Sequence, residues 1–128
     1  MDDEQRRELG TTTRSAVLGA AHVARARATS TAFTADFQDL ITRYAWGDVW
    51  QRPGLDKRTR SFLTLAMLLA LGRDDEFRLH LRGALNNGLS RAEIGEVLLH
   101  AAIYCGVPAA NHGFKLAQEV FGAIDAEA

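Results

Sequence analysis

The sequence predicts an all-α fold: a single-domain helical bundle of about six helices spanning residues 1–128. Three observations carry this. Apolar residues recur at helical spacing along most of the chain, the periodic segments lie between recognisable start and stop signals, and no stretch alternates apolar and polar as a half-buried strand would. With 128 residues, 47% of them hydrophobic and 24% charged, there is material for one core and not for two.

The first helix is expected over Asp3 to Leu18, with Leu9, Thr13, Ala16, Val17 and Ala20 on one side. A link, "GAAHVARARATST", then carries His22, Arg25 and Arg27. The second helix is expected to start near Thr34, a suitable N-cap residue, and to bury Phe37, Leu40, Ile41, Tyr44 and Ala45. It runs into "WGDVWQRPG", where Trp46 and Trp50 share a turn with Gly47, Pro53 and Gly54. Tryptophans in such a turn serve as packing anchors or as ligand walls.

Asp56 can cap a third helix, "KRTRSFLTLAMLLALG", apolar all round from Phe62 and therefore expected at the buried centre, with Gly72 as its stop. The fourth, "DDEFRLHLRGALNNG", lines up Phe77, Leu81, Ala84 and Leu85 and ends where Asn87 or Gly88 can turn left-handed. His80 falls on the flank of that stripe, near Glu76. Either it is a structural histidine satisfied by a neighbour, or it is an acid–base group whose charge changes near neutral pH. The fifth helix opens with Ser90 and Glu93, three apart, as a capping box. Its stripe of Ile94, Val97, Leu98, Ala101 and Cys105 should face the core, which makes Cys105 a packing residue. Leu99 and Ile103 on the opposite side suggest a subunit interface, and Glu93, Glu96, His100 and Tyr104 form a polar line between the two strips. The last helix starts near Pro108, with His112 at its exposed beginning.

Bulk properties exclude several classes. A net charge of −1 with scattered arginines offers no clustered basic face for nucleic acid. Arginines outnumber lysines 13 to 2, a bias that suits carboxylate recognition by planar forks and that codon usage would also produce. One cysteine permits neither an internal disulfide nor a CxxC pair. The polar start and an apolar run of only "FLTLAMLLAL", well short of the ~18 residues of a membrane span, point to a soluble cytoplasmic protein with no membrane partner. No phosphate loop, HExxH, EF-hand or GxSxG pattern is present, and no histidine pairs with another at metal-ligand spacing, so neither metal nor cofactor is expected.

Three longer segments say more: "RSAVLGAAHV", "FQDLITRYAWGDVWQRPGLDKRTRSFLTLAMLLALGR" and "LHLRGALNNGLSRAEIGEVLLHAAIYCGVPAAN". Together they resemble the carboxymuconolactone decarboxylase family over nearly the whole chain. The resemblance implies an alkylhydroperoxidase D-like helical fold assembled as a homo-oligomer, commonly a hexamer. It also implies cofactor-independent decarboxylation of 4-carboxymuconolactone to the 3-oxoadipate enol-lactone, in the protocatechuate branch of the β-ketoadipate pathway. Redox relatives carry CxxC followed, after three residues, by His. Here the histidine corresponds to His80, while Arg73 and Glu76 stand at the cysteine positions, so the dithiol is missing.

What the resemblance implies for individual residues can be argued chemically. Loss of CO2 from the lactone leaves a dienolate spread onto the lactone carbonyl, so the substrate is its own electron sink. The enzyme must stabilise that oxyanion and protonate the ring carbon. His80 is the expected catalytic residue. Arg43, Arg58 and Arg60 are candidates for holding the non-reacting carboxylate, with Trp46 and Tyr104 as walls. The alternatives are a related lactone or keto-acid decarboxylase, a thiol-dependent peroxidase or reductase disfavoured by the missing CxxC, and a non-enzymatic helical assembly module.

Overall fold

A computed structural model describes all residues, Met1–Ala128, as seven α-helices with one π-helical and one 3₁₀ turn and no strands. The helices are α1 (Asp3–Leu18), α2 (Ala20–Ala28), α3 (Ala35–Ile41), α4 (Lys57–Leu71), α5 (Asp74–Asn86), α6 (Arg91–Tyr104) and α7 (Val107–Glu127). The chain divides into two compact units, Met1–Lys57 and Arg58–Ala128.

In the first unit α1 occupies the expected span, opened by a capping box between Asp2 and Gln5. Its buried face is rotated from the expected one: Gly10, Thr13, Val17 and Leu18 are inside, whereas Leu9, Ala16 and Ala20 are exposed. The cause is Gly10. A Cβ there would lie 2.1 Å from the Thr42 carbonyl oxygen, and one on Gly47 would lie 2.2 Å from that of Arg6. Helix α1 and the π-helical turn Thr42–Trp46 therefore meet backbone to backbone through two glycines. Gln51, ending the 3₁₀ turn Val49–Gln51, ties this contact by donating from Nε2 to Thr13 Oγ1 (2.6 Å) and the Trp46 carbonyl (2.9 Å).

The predicted link is largely helical. Gly19, at φ 94°, breaks the chain and α2 follows it, favoured by alanines but burying only Val23, so no apolar stripe advertised it. This accounts for seven helices where about six were expected. Thr34 precedes α3 as expected but makes no side-chain cap. The face expected to be buried is not: Phe37 is 61% exposed, and Leu40 and Tyr44 are also exposed. A seven-residue helix leaves its apolar side uncovered within one chain.

In the second unit four helices share one core, to which α4 gives Leu65 and Leu69, α5 Phe77, Leu81 and Ala84, α6 Ile94, Leu98 and Ala101, and α7 Leu116, Ala117 and Val120. Helix α4 is not the buried centre. Only Ser61, Leu65 and Leu69 are inside, while Leu63, Met67 and Leu71 face outward. Gly72 (φ 70°) and Gly88 (φ 92°) make the left-handed turns after α4 and α5. The Ser90–Glu93 capping box starts α6 as predicted. Cys105 is a further correction: α6 ends at Tyr104, so Cys105 is the C-cap and is exposed. Helix α7 carries Pro108 in its first turn and is clamped by Arg82–Glu127 (2.8 Å), Arg91–Asp125 (2.6 Å) and His112–Asp74 (2.8 Å). No helix is long and apolar enough to cross a membrane.

Candidate active site

Helix α5 sets His80. Three acidic residues, Asp74, Asp75 and Glu76, favour the helix N-terminus, and the buried Phe77, Leu81 and Ala84 fix its rotation. His80 then sits half-buried at the margin of the core. At about 100° per residue, Ala84 and Asn87 lie on the same side of α5 as His80. Asn87 donates from Nδ2 to Ser61 Oγ at 2.9 Å, and Ser61, in the first turns of α4, is 1% exposed. This polar pair joins the start of α4 to the end of α5 along the histidine's side, in surroundings dry enough to strengthen a hydrogen bond.

Arg60 and Arg58 flank Ser61. Arg60 is half-buried, and its carbonyl accepts from Thr64 Oγ1 at 2.7 Å. Arg58 donates to the Gly88 carbonyl and to Glu93 Oε2 (2.5 Å), with its guanidinium 6.0 Å above the Phe62 ring centroid. The Ser90 backbone N–H, and then Arg58, hold the Glu93 carboxyl below its ordinary range. Arg58 thus clasps the α5–α6 turn, with its charge already met.

Tyr104 belongs to a different feature, a mostly apolar groove of about 520 Å³ between α4 and α6. Phe62, Leu63 and Ala66 form one wall; Glu96, His100, Tyr104 and Cys105 stand on the other. The polar line read in the sequence therefore borders a real concavity, with the His100 and Tyr104 rings 5.0 Å apart. Cys105 lies in this groove because the helix ends before it, a position that apolar periodicity alone could not distinguish from the core.

The remaining two predicted residues lie in the first unit. Arg43, in the π-helical turn, donates to Asp39 (2.8 Å) and faces Asp3 (3.6 Å). Trp46, 5% exposed, stacks on Trp50 with ring centroids 4.9 Å apart. Sequence reasoning passed over Ser61 and read Asn87 only as a helix stop, because their pairing spans 26 residues and left no local signal.

Comparison with known proteins gives a concordant picture. The profile of the carboxymuconolactone decarboxylase family matches residues 35–119. The chain is 50% identical over 121 residues to the 4-carboxymuconolactone decarboxylase of Acinetobacter baylyi, covering 94% of this chain and 90% of that one. It is 46% identical over 121 residues to the nitrosuccinic acid decarboxylase npaB of Metarhizium robertsii, covering 92% of this chain and 85% of that one. A third relative, the 4-carboxymuconolactone decarboxylase of Pseudomonas putida, is 48% identical over 48 residues, covering 38% of this chain and all of that sequence.

Proposed function

The chain belongs to the carboxymuconolactone decarboxylase family, and from that premise we propose that it decarboxylates 4-carboxymuconolactone to the 3-oxoadipate enol-lactone without a cofactor. The carrying observation is the 50% identity over 94% of the chain to a decarboxylase of that substrate. The reaction belongs to the protocatechuate branch of the β-ketoadipate pathway, in the cytoplasm.

The chemistry asks for few groups. The departing carboxylate leaves its electron pair on a carbon conjugated to the lactone carbonyl. That carbonyl oxygen carries the developing charge until a proton arrives at the carbon alpha to it. His80 serves as proton donor or as hydrogen-bond donor to the oxyanion. Its half-buried seat supports the role, since a partly dry imidazole makes a stronger hydrogen bond while keeping a path for protons. Nitrosuccinic acid, the substrate named for the second relative, has the same requirement: one carboxylate leaves from a carbon bearing an electron sink, and a second is kept.

Arg60 takes the retained carboxylate. Its place next to Ser61, whose hydroxyl meets Asn87 on the side of α5 that carries His80, supports this role. The active form is a homo-oligomer, for which a hexamer is the family-like arrangement. The outward Leu63, Met67, Leu99 and Ile103 supply an apolar face for it, Ile103 being 79% exposed.

The test is CO2 release from 4-carboxymuconolactone, without added metal or cofactor, by the parent chain, His80→Ala and Arg60→Gln. His80→Ala should lower kcat by about 10²- to 10⁴-fold, and Arg60→Gln should act mainly on KM. Parent-like turnover by a folded His80→Ala protein would remove the histidine from the mechanism. No turnover by the parent chain would redirect the substrate assignment to related lactones and keto acids.

A further inference from the structure

The first unit holds a cavity of about 380 Å³ between α1, α2 and α3 that the decarboxylase reading does not use. Its size falls within the range of about 300–1,000 Å³ common for small-molecule sites. Three guanidinium groups line it, those of Arg7, Arg14 and Arg27, against a single carboxylate, Asp39. That carboxylate is already claimed twice, by Arg7 Nε and by Arg43 Nε, each at 2.8 Å.

Arg14 and Arg27 have no carboxylate partner. Arg14 is half-buried and its Nη1 donates to Gln38 Oε1 at 3.3 Å, while its Nε is buried without an acceptor. Burial, and then the charge of Arg27, weaken its hold on a proton. The nearby His22 is pushed the same way, by burial first and then by Arg14 and Arg25. A partly desolvated cation beside a second cation is costly unless a counter-charge completes the site.

We infer that this cavity is an anion site that takes a short-chain dicarboxylate. Two uncompensated guanidiniums match two carboxylates, and planar forks suit carboxylate oxygens. The rest of the lining decides between dicarboxylate and phosphate. Val23 and Ala26 stand among the arginine stems, giving an apolar surface that methylene carbons cover and a phosphate does not. Thr11 and Ser30 add hydroxyls to the lining. Occupancy fastens α1, α2 and α3 to one another and so stabilises the first unit by mass action.

The experiment is calorimetric titration and thermal unfolding of the intact chain with succinate, inorganic phosphate, or sodium chloride at matched ionic strength. Succinate should bind saturably, one per chain, and raise Tm beyond the salt control. Arg27→Gln, at an exposed position, should weaken binding about tenfold or more through loss of a charge-assisted hydrogen bond, and Arg14→Gln should abolish it. His80→Ala should bind succinate like the parent chain, which separates this site from failure or success of the decarboxylase assignment. Succinate no better than salt would overturn the proposal, as would unchanged affinity in Arg27→Gln, which decides the matter even if Arg14→Gln does not fold. Phosphate binding tighter than succinate would overturn the dicarboxylate assignment.

Discussion

Replacing Gly10 with alanine is expected to destabilise the chain, although an alanine inside a helix ordinarily stabilises by about 0.5–1 kcal/mol over glycine. At this position the added Cβ would stand 2.1 Å from the Thr42 carbonyl oxygen, 3.0 Å from the Gly47 nitrogen and 3.1 Å from the Thr42 carbonyl carbon. Ordinary contact begins at 3.4 Å, so α1 and the π-helical turn must move apart by roughly an ångström. All three obstructing atoms are backbone, and no side chain can swing aside. A shift of that size breaks the Gln51–Thr13 hydrogen bond (2.6 Å) and stretches Arg43–Asp3 (3.6 Å) beyond ion-pair range. Overpacking strain of about 1–3 kcal/mol and about 1 kcal/mol for the hydrogen bond, less the helix-propensity gain, leave a net loss of about 1–3.5 kcal/mol. Urea unfolding followed by tryptophan fluorescence would measure it, because both tryptophans, stacked Trp46 and Trp50, lie in this unit. Gly47→Ala should behave alike, its Cβ falling 2.2 Å from the Arg6 carbonyl oxygen. Gly122→Ala on α7, where a Cβ meets nothing within 4 Å, should be neutral or stabilising. A Gly10→Ala protein as stable as its parent would refute the backbone-to-backbone packing.

Two further outcomes can be checked independently. Ile103→Asp, placing a charge on the outward apolar strip of α6, should shift the assembly toward smaller species in light scattering after size exclusion, with an unchanged mass removing that face from the interface. Asp39 is held below its ordinary pKa by hydrogen bonds from Arg7 and then Arg43, as Asp125 is by Arg91 and Glu127 by Arg82. Because their folded pKa values are depressed, these carboxylates stabilise the fold above the unfolded-state carboxylate range, and the contribution is lost as pH falls through the folded values. Tm should therefore hold from neutrality to about pH 5 and drop below it, and the gap between the parent chain and Asp39→Asn should close in acid; a gap constant with pH would contradict this account.

Helix identity was legible where local signals are strong. The α1 span, the glycine stops after α4 and α5 and the Ser90–Glu93 box all depend on residues within a few positions of one another, and each stands where periodicity and capping chemistry put it. His80 was legible too, but as a choice between a structural and a chemical histidine, since a single helix wheel shows the edge of a stripe and not what lies across from it. The resemblance to a decarboxylase family, not the wheel, tilted that choice.

Partnership across the chain was not legible. Which face of α1 turns inward depends on Gly10 meeting a carbonyl 32 residues later, and a glycine contributes nothing to an apolar stripe. The same applies to Arg58, whose guanidinium meets Glu93 35 residues later. The exposure of Phe37 and Met67 shows the converse, apolar residues that periodicity assigned to a core but that one chain leaves uncovered. Apolar spacing and capping are encoded over one or two helical turns and can be read from the chain alone. Which surfaces meet, and which charges are spent on one another, depends on contacts between segments far apart in sequence, and these exist only once the helices have packed.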